Sequence, residues 1–340
     1  MERFGWQVTS SVVEAASAVS MTLAEAMTKP AERSALVKAG GIDLLDLMKE
    51  GLVAPRVLIS LRGIAELEGI REEAVIGIRV GSMTTLADLE SHPLIRERYP
   101  ALAAAVGGSA SPQIRNVATL GGNLLQRPRC WYFRSAEHHC LRKGGTHCFA
   151  LRGENRYHAV FTNHPCAIVH PSTAATVLVA LGATLELADA QGATRRIPLE
   201  RFLVPPEGDY TRENALTARE ILVAVHLPPL PSGVRMTHLR CSEKQAFDWP
   251  LADVAVVLDL ASDTTCRSAA VVLGAAAPTP YRAVEAEKAL LGRRIDEDAA
   301  REAARLCRAN ATPLQGNGYK LPLFETLVRR AVIGALATRP

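Results

Sequence analysis

A mixed α+β chain of two or three domains is the fold class this 340-residue sequence predicts, and three observations carry it. Helix-like and strand-like segments alternate over the first 60 residues. A proline-rich stretch, Pro228-Pro229-Leu230-Pro231, punctuates the chain. Beyond it, two apolar strand-like runs precede three helical segments, the succession expected of an antiparallel sheet covered by helices.

In chain order, an amphipathic helix is expected over 11–28, then a short strand, Ala35–Ala39, leading into Gly40-Gly41. A helix over 43–50 follows, with Asp43 as N-cap and Gly51 as its left-handed C-terminal glycine. Val57–Leu61 and Ala74–Val80 read as strands, Leu86–Glu90 and Pro100–Val106 as short helices. A helix over Thr173–Gly182 and strands over Thr184–Ala188 and Glu220–Leu227 close the middle region. After the prolines come strands over Ala252–Ala261 and Cys266–Gly274, then helices over Arg282–Leu291, Asp296–Arg308 and Pro322–Leu336.

Bulk properties exclude several classes. With 48% hydrophobic and 22% charged residues the composition is that of a globular protein. A net charge of +4 without a long basic stretch argues against nucleic acid. No apolar run reaches the ~18–20 residues of a membrane span. Glu14 and Glu25 interrupt the N-terminal apolar segment, so it does not read as a signal peptide. Seven cysteines, an odd number, fit poorly with a disulfide framework.

Four of those cysteines, Cys130, Cys140, Cys148 and Cys166, crowd together with spacing C-x9-C-x7-C-x17-C, whereas Cys241, Cys266 and Cys307 stand alone and read as ordinary core thiols. Structural zinc would call for C-x2-4-C pairs, and none is present. Inert thiols would lie on apolar faces, but these lie among Arg129, Arg134 and Lys143. Iron–sulfur ligation tolerates long, irregular spacing. His138, His139, His147 and His158 are alternative ligands, each expected to face solvent instead. Trp131 and Tyr132, beside the first cysteine, are expected to shield the site from water.

Two glycine pairs precede this cluster. Gly40-Gly41, between a strand and a helix, has the geometry of an anion site, where backbone N–H groups and the helix dipole favour a phosphate. A bulky side chain at Gly40 is expected to occupy the phosphate's space. The second pair, in Ala118-Thr-Leu-Gly-Gly-Asn123, places hydroxyl and amide groups beside a close backbone approach, at what reads as another strand end. The competing reading of each pair is a tight turn with positive φ. Neither matches the G-x-G-x-x-G or Walker A spacing. No acid–base pair or Ser/His/Asp arrangement suggests catalysis by side chains.

The segments Ala39–Leu45, Ile114–Asn123 and Val169-His-Pro-Ser172 resemble the FAD-binding (medium) subunits of the xanthine dehydrogenase / molybdenum hydroxylase family. So do Ala246-Phe-Asp248, Leu273–Pro280, Gly318-Tyr-Lys320 and Leu327–Ala331, in the same order. The resemblance implies a vanillyl-alcohol-oxidase (PCMH)-type FAD domain of two α/β subdomains, then a C-terminal antiparallel sheet with helices. The boundaries expected are 1–60, 61–229 with an insertion at about 127–168, and 230–340. Val37, Lys38, Ala39, Gly40, Gly41, Ile42, Asp43 and Leu44 would wrap the FAD pyrophosphate, with Ala118, Thr119, Gly122 and Asn123 on the other side.

Within the family, Gln126–Arg134 and Cys140–Gly145 look most like the periplasmic aldehyde oxidoreductase flavin subunits, which carry an extra [4Fe–4S] cluster. That likeness implies Cys130, Cys140, Cys148 and Cys166 as iron ligands. Thr173 departs from the pattern, in which an acidic residue follows His-Pro-Ser and helps hold the flavin. The implied role is an electron-transfer subunit beside a molybdenum-cofactor large subunit and a [2Fe–2S] small subunit, delivering electrons to an external acceptor. A standalone FAD reductase or oxidase, or a flavin-less cluster protein, is the alternative. The expected compartment is the cytoplasm, or the periplasm by co-export with a twin-arginine partner.

Overall fold

The computed structural model describes residues 1–29, 34–73, 77–244 and 247–337. Ala74–Ile76 of one expected strand and Ala246 of one resembling segment lie outside them. Three sheets organise the chain. The first is parallel, with Val57–Ser60 between Gly5–Val8 and Ala35–Lys38. The second runs Ile70–Glu73, Gly77–Gly81, Glu220–Leu227, Thr184–Asp189, Thr194–Pro198, every pair antiparallel. The third, also antiparallel, runs Tyr281–Arg282, Cys266–Gly274, Pro250–Leu260, Val234–Ser242.

Side-chain alternation explains the layering. In Glu220–Leu227, Ile221 and Val223 pack into a core with Val12, Ala15 and Ile59 of the first subdomain. A bulge at Val223, where the pairing with Thr184–Asp189 shifts register, reverses the parity, so Val225 and Leu227 point the other way, into a core with Leu102, Val177 and Leu185. A strand buried on both faces reads as a nearly continuous apolar run, which is why its alternation was only partial. Helix Thr173–Ala180, buried at all eight positions, lies between the second and third sheets. The third sheet turns Val254, Val256 and Leu273 to its other face, where Ala286, Ala303 and Val328 of the C-terminal helices cover them.

Several expectations are corrected. The N-terminal helix is two, Val12–Ala18 and Leu23–Thr28, because Thr22 and Glu25 form a capping box that starts a new one. The strands absent from the sequence reading, Gly5–Val8, Ile70–Glu73, Thr194–Pro198, Val234–Ser242 and Tyr281–Arg282, are all sheet edges. An edge strand is half-solvated and carries little apolar periodicity; Gly5–Val8 is exposed throughout. Asp43 is not the N-cap: helix Ile42–Lys49 begins after Gly41, and Asp43 lies in its first turn. Gly51 does adopt the left-handed conformation, with φ of 69°.

Lys320, at the start of the last helix, is buried and donates to the carbonyl oxygens of His158 (3.2 Å) and Ala275. Asn317 adds bonds to His158 and Ala159 carbonyls at 3.1 and 2.9 Å, so the C-terminal domain grips the cysteine-rich insertion. Burial pushes the Lys320 amine down to about 7 from 10.5. Between those values the unfolded chain keeps a proton that the folded one has released, so folding stability rises with pH across this window and is flat below it. Urea unfolding at several pH values should show that rise in the native chain and its loss in Lys320→Met. A slope unchanged by the substitution would refute the assignment.

Candidate functional site

The two glycine pairs meet. Gly41 has φ of 86° and caps helix Ile42–Lys49 without a side chain, so it satisfies the tight-turn reading. Gly40 is required for another reason: a Cβ there would collide with the backbone carbonyl of Val117, in the second loop. The approach of the second loop therefore requires glycine at position 40 whatever a bound phosphate would require. The second pair is not at a strand end. Thr119 caps a short helix, Leu120–Leu124, by accepting from the Gly122 N–H at 3.1 Å. Gly121 packs on Ser82, with its oxygen 3.0 Å from where a Cβ would stand.

Both loops wall one cavity of about 520 Å³. From the first loop it takes Val37, Ala39, Gly40, Gly41, Ile42, Asp43 and Leu44, and from the second Ala118, Thr119, Gly122 and Asn123. Lys38 is not on the wall; its ammonium lies 5.3 Å from the centre of the Trp6 ring. Ser172 ties the second loop to helix Thr173–Ala180, donating to Asn123 Oδ1 at 2.6 Å while capping that helix. Thr173, buried, also lines the cavity. In the resembled pattern an acidic residue stands there, so this wall carries a neutral hydroxyl instead of a carboxylate.

Cys130, Cys140, Cys148 and Cys166 wall a second, small cavity together with Tyr132 and His158. Among the described residues, no three of His, Cys, Asp or Glu converge as ligands of a single metal ion. The donor set is four sulfurs in an apolar shell. Burial pushes the Cys130 thiol up to about 12, and burial also raises that of Cys140. Cys166 goes the other way, to about 5, because the Cys148 thiol bonds to it and Arg142 lies beside it. Thiolates here are costly unless a cation neutralises them, which is the condition an iron–sulfur cage meets. His158 departs from expectation: it is buried, with Nε2 3.1 Å from Cys130 Sγ. His139 and His147 are exposed as expected, and His138 meets Ser135 Oγ at 3.0 Å. Of the two aromatics, Tyr132 lines the small cavity while Trp131 stays largely at the surface.

Asp43 ties the insertion to the first loop. Its carboxylate accepts from the Arg127 backbone N–H at 2.7 Å and pairs with Arg134 at 2.6 Å and Arg129 at 3.0 Å. Removing a partly buried carboxylate that serves three donors leaves two guanidinium groups underpaired. Asp43→Ala is therefore expected to cost roughly 2–4 kcal/mol, read as a lower thermal midpoint with earlier proteolysis within 127–168. A variant as stable as the native chain would refute this.

Sequence reasoning missed part of the wall. Phe247 and Trp249, from the loop between strands Val234–Ser242 and Pro250–Leu260 of the third sheet, reach the large cavity, and Arg129 lies over the Trp249 ring at 5.0 Å. Two exposed aromatics within three residues were the available signal in a chain only 5% aromatic. Arg127 and Glu213 also line it, and for Glu213 there was no signal, since it approaches from a loop over 80 residues away.

Residues 2–230 match the family model described as the FAD binding domain in molybdopterin dehydrogenase. This chain belongs to that family. As an FAD-binding subunit of the molybdenum hydroxylases, it also matches the CO dehydrogenase flavoprotein C-terminal domain over residues 237–335. It is 35% identical over 301 residues to the aldehyde oxidoreductase FAD-binding subunit PaoB of Escherichia coli, covering 88% of this chain and 89% of the relative. Identity to the carbon monoxide dehydrogenase medium chain of Afipia carboxidovorans is 30%, over 88% of each. Among solved structures, carbon monoxide dehydrogenase from Hydrogenophaga pseudoflava superposes with a TM-score of 0.74 at 28% identity, covering 99% and 98% of the two chains. Quinoline 2-oxidoreductase from Pseudomonas putida gives 0.71 at 25% identity, covering 99% and 98%. The fold is thus the expected FAD-binding domain followed by a sheet-and-helix domain.

Proposed function

We propose that this flavin subunit holds FAD in the 520 Å³ cavity and a [4Fe–4S] cluster on Cys130, Cys140, Cys148 and Cys166. The reading rests on one observation above all: two glycine loops about 80 residues apart close on a single cavity. Backbone N–H groups of Gly40–Asp43 would hold the pyrophosphate, where glycine permits close approach, with Ala118, Thr119, Gly122 and Asn123 walling its other side. When bound, FAD supplies exchange between one- and two-electron carriers. The chain's own residues position and enclose: Asn123 and Ser172 brace the second loop, while Phe247 and Trp249 contribute aromatic wall.

The partners are a molybdenum-cofactor large subunit and a [2Fe–2S] small subunit, with electrons leaving to an external acceptor. Support comes from relatives named as medium chains and FAD-binding subunits. Substrate oxidation then belongs to the partner. Among the described residues no helix is long and apolar enough to cross a membrane. Anaerobic purification of the co-expressed complex tests this function: molybdenum and one FAD per chain are expected. A chain that purifies alone with flavin favours a standalone reductase, and colourless protein refutes flavin binding.

A further inference from the structure

Between the two cavities lies a buried triad. Glu213 accepts from Arg142 at 2.6 Å and pairs with Arg127 at 3.2 Å. All three are almost inaccessible, at 1%, 1% and 4% for Arg127, Arg142 and Glu213. Arg127 and Glu213 line the large cavity, whereas Arg142 lines the small one among the cysteines. Two guanidinium groups and one carboxylate leave one net positive charge buried from solvent.

Stability is a poor explanation for such a group. Desolvating three charges offsets much or all of their attraction, and apolar replacements often do as well. The triad is also incompletely satisfied: Arg127 Nε, Arg142 Nε and Arg142 Nη2 are buried without an oxygen or nitrogen acceptor. The Cys166 thiol is the group that faces Arg142. A fixed cation with spare N–H donors beside a sulfur is what an anionic centre needs.

We propose that Arg127–Glu213–Arg142 is a charged bridge between the two redox sites. In it Arg142 donates to the cluster side at Cys166, and Glu213 sets the field felt by cluster and flavin together. The inference rests on the reading that FAD and a [4Fe–4S] cluster occupy these cavities. Reduction adds negative charge, so a neighbouring cation and N–H donors raise a cluster's potential and a neighbouring carboxylate lowers it. In a low-dielectric interior such effects carry further than at a surface.

The test is potentiometric titration of the intact complex, followed by electron paramagnetic resonance for the cluster and visible absorption for the flavin. Arg142→Gln should lower the cluster potential with iron retained, and Arg142→Lys should restore part of it. Glu213→Gln should raise both potentials. An unshifted cluster potential in Arg142→Gln, or a Glu213→Gln shift confined to one centre, overturns the bridge. Should Arg142→Gln shed iron, Arg142→Lys decides: a native potential there also overturns it, and a lowered one supports it. Native complex without iron on this chain instead defeats the cluster reading itself, and is seen before any variant is made.

Discussion

Gly40→Ala is expected to strip most FAD from the purified complex. The new methyl group would fall on the Val117 carbonyl oxygen, with the Val117 carbonyl carbon 3.0 Å and Ala118 Cα 3.3 Å away, all backbone atoms that cannot rotate aside. The two loops must separate, and both wall the same cavity. Overpacking of this kind costs about 1–3 kcal/mol. If the strain falls on the bound state, flavin affinity drops roughly 5- to 150-fold. Flavin per chain after desalting, and rebinding followed by flavin fluorescence, measure it. Gly292→Ala is the control: Gly292 has φ of 72° but open space around it and lies outside the cavity wall, so it should lose stability and keep FAD. Native flavin affinity in Gly40→Ala would sink the two-loop site.

Cys148→Ser should remove about four iron atoms and the matching labile sulfide from this chain, leaving FAD in place. Cys148 and Cys166 are hydrogen-bonded neighbours, and both wall the small cavity with Cys130 and Cys140. A serine hydroxyl is a poor replacement for a thiolate toward iron. The flavin cavity includes none of the four cysteines, so its loops stay intact. Because partner iron remains, the informative quantity is the difference between variant and native complexes. Cys307→Ser serves as control, its sulfur lying in the C-terminal core among Ala303 and Phe324. Iron content identical to native in Cys148→Ser would refute the ligand set.

Local rules left clear traces in the chain. Interior strands such as Glu220–Leu227 and Cys266–Gly274 appear at their observed bounds, because burial on both faces writes long apolar runs. The edge strands are faint for the converse reason. The glycine pairs were visible as punctuation, but only Gly41 needs its glycine for a local backbone angle. Gly40 needs it because another segment arrives from Val117, and no local pattern records that approach. His158 looked like any loop histidine until the fold buried it against Cys130.

By itself the sequence determined the α+β class, the positions of most interior elements, the two glycine loops and the clustering of four thiols. These depend on short-range rules: periodicity, caps, turn residues and composition. Only the tertiary structure decided that the loops share one cavity, that a loop of the third sheet lends it Phe247 and Trp249, and that Glu213 stands between two arginines. Those facts depend on contacts between segments far apart in the chain, where packing and charge pairing in three dimensions, not neighbouring residues, set the outcome.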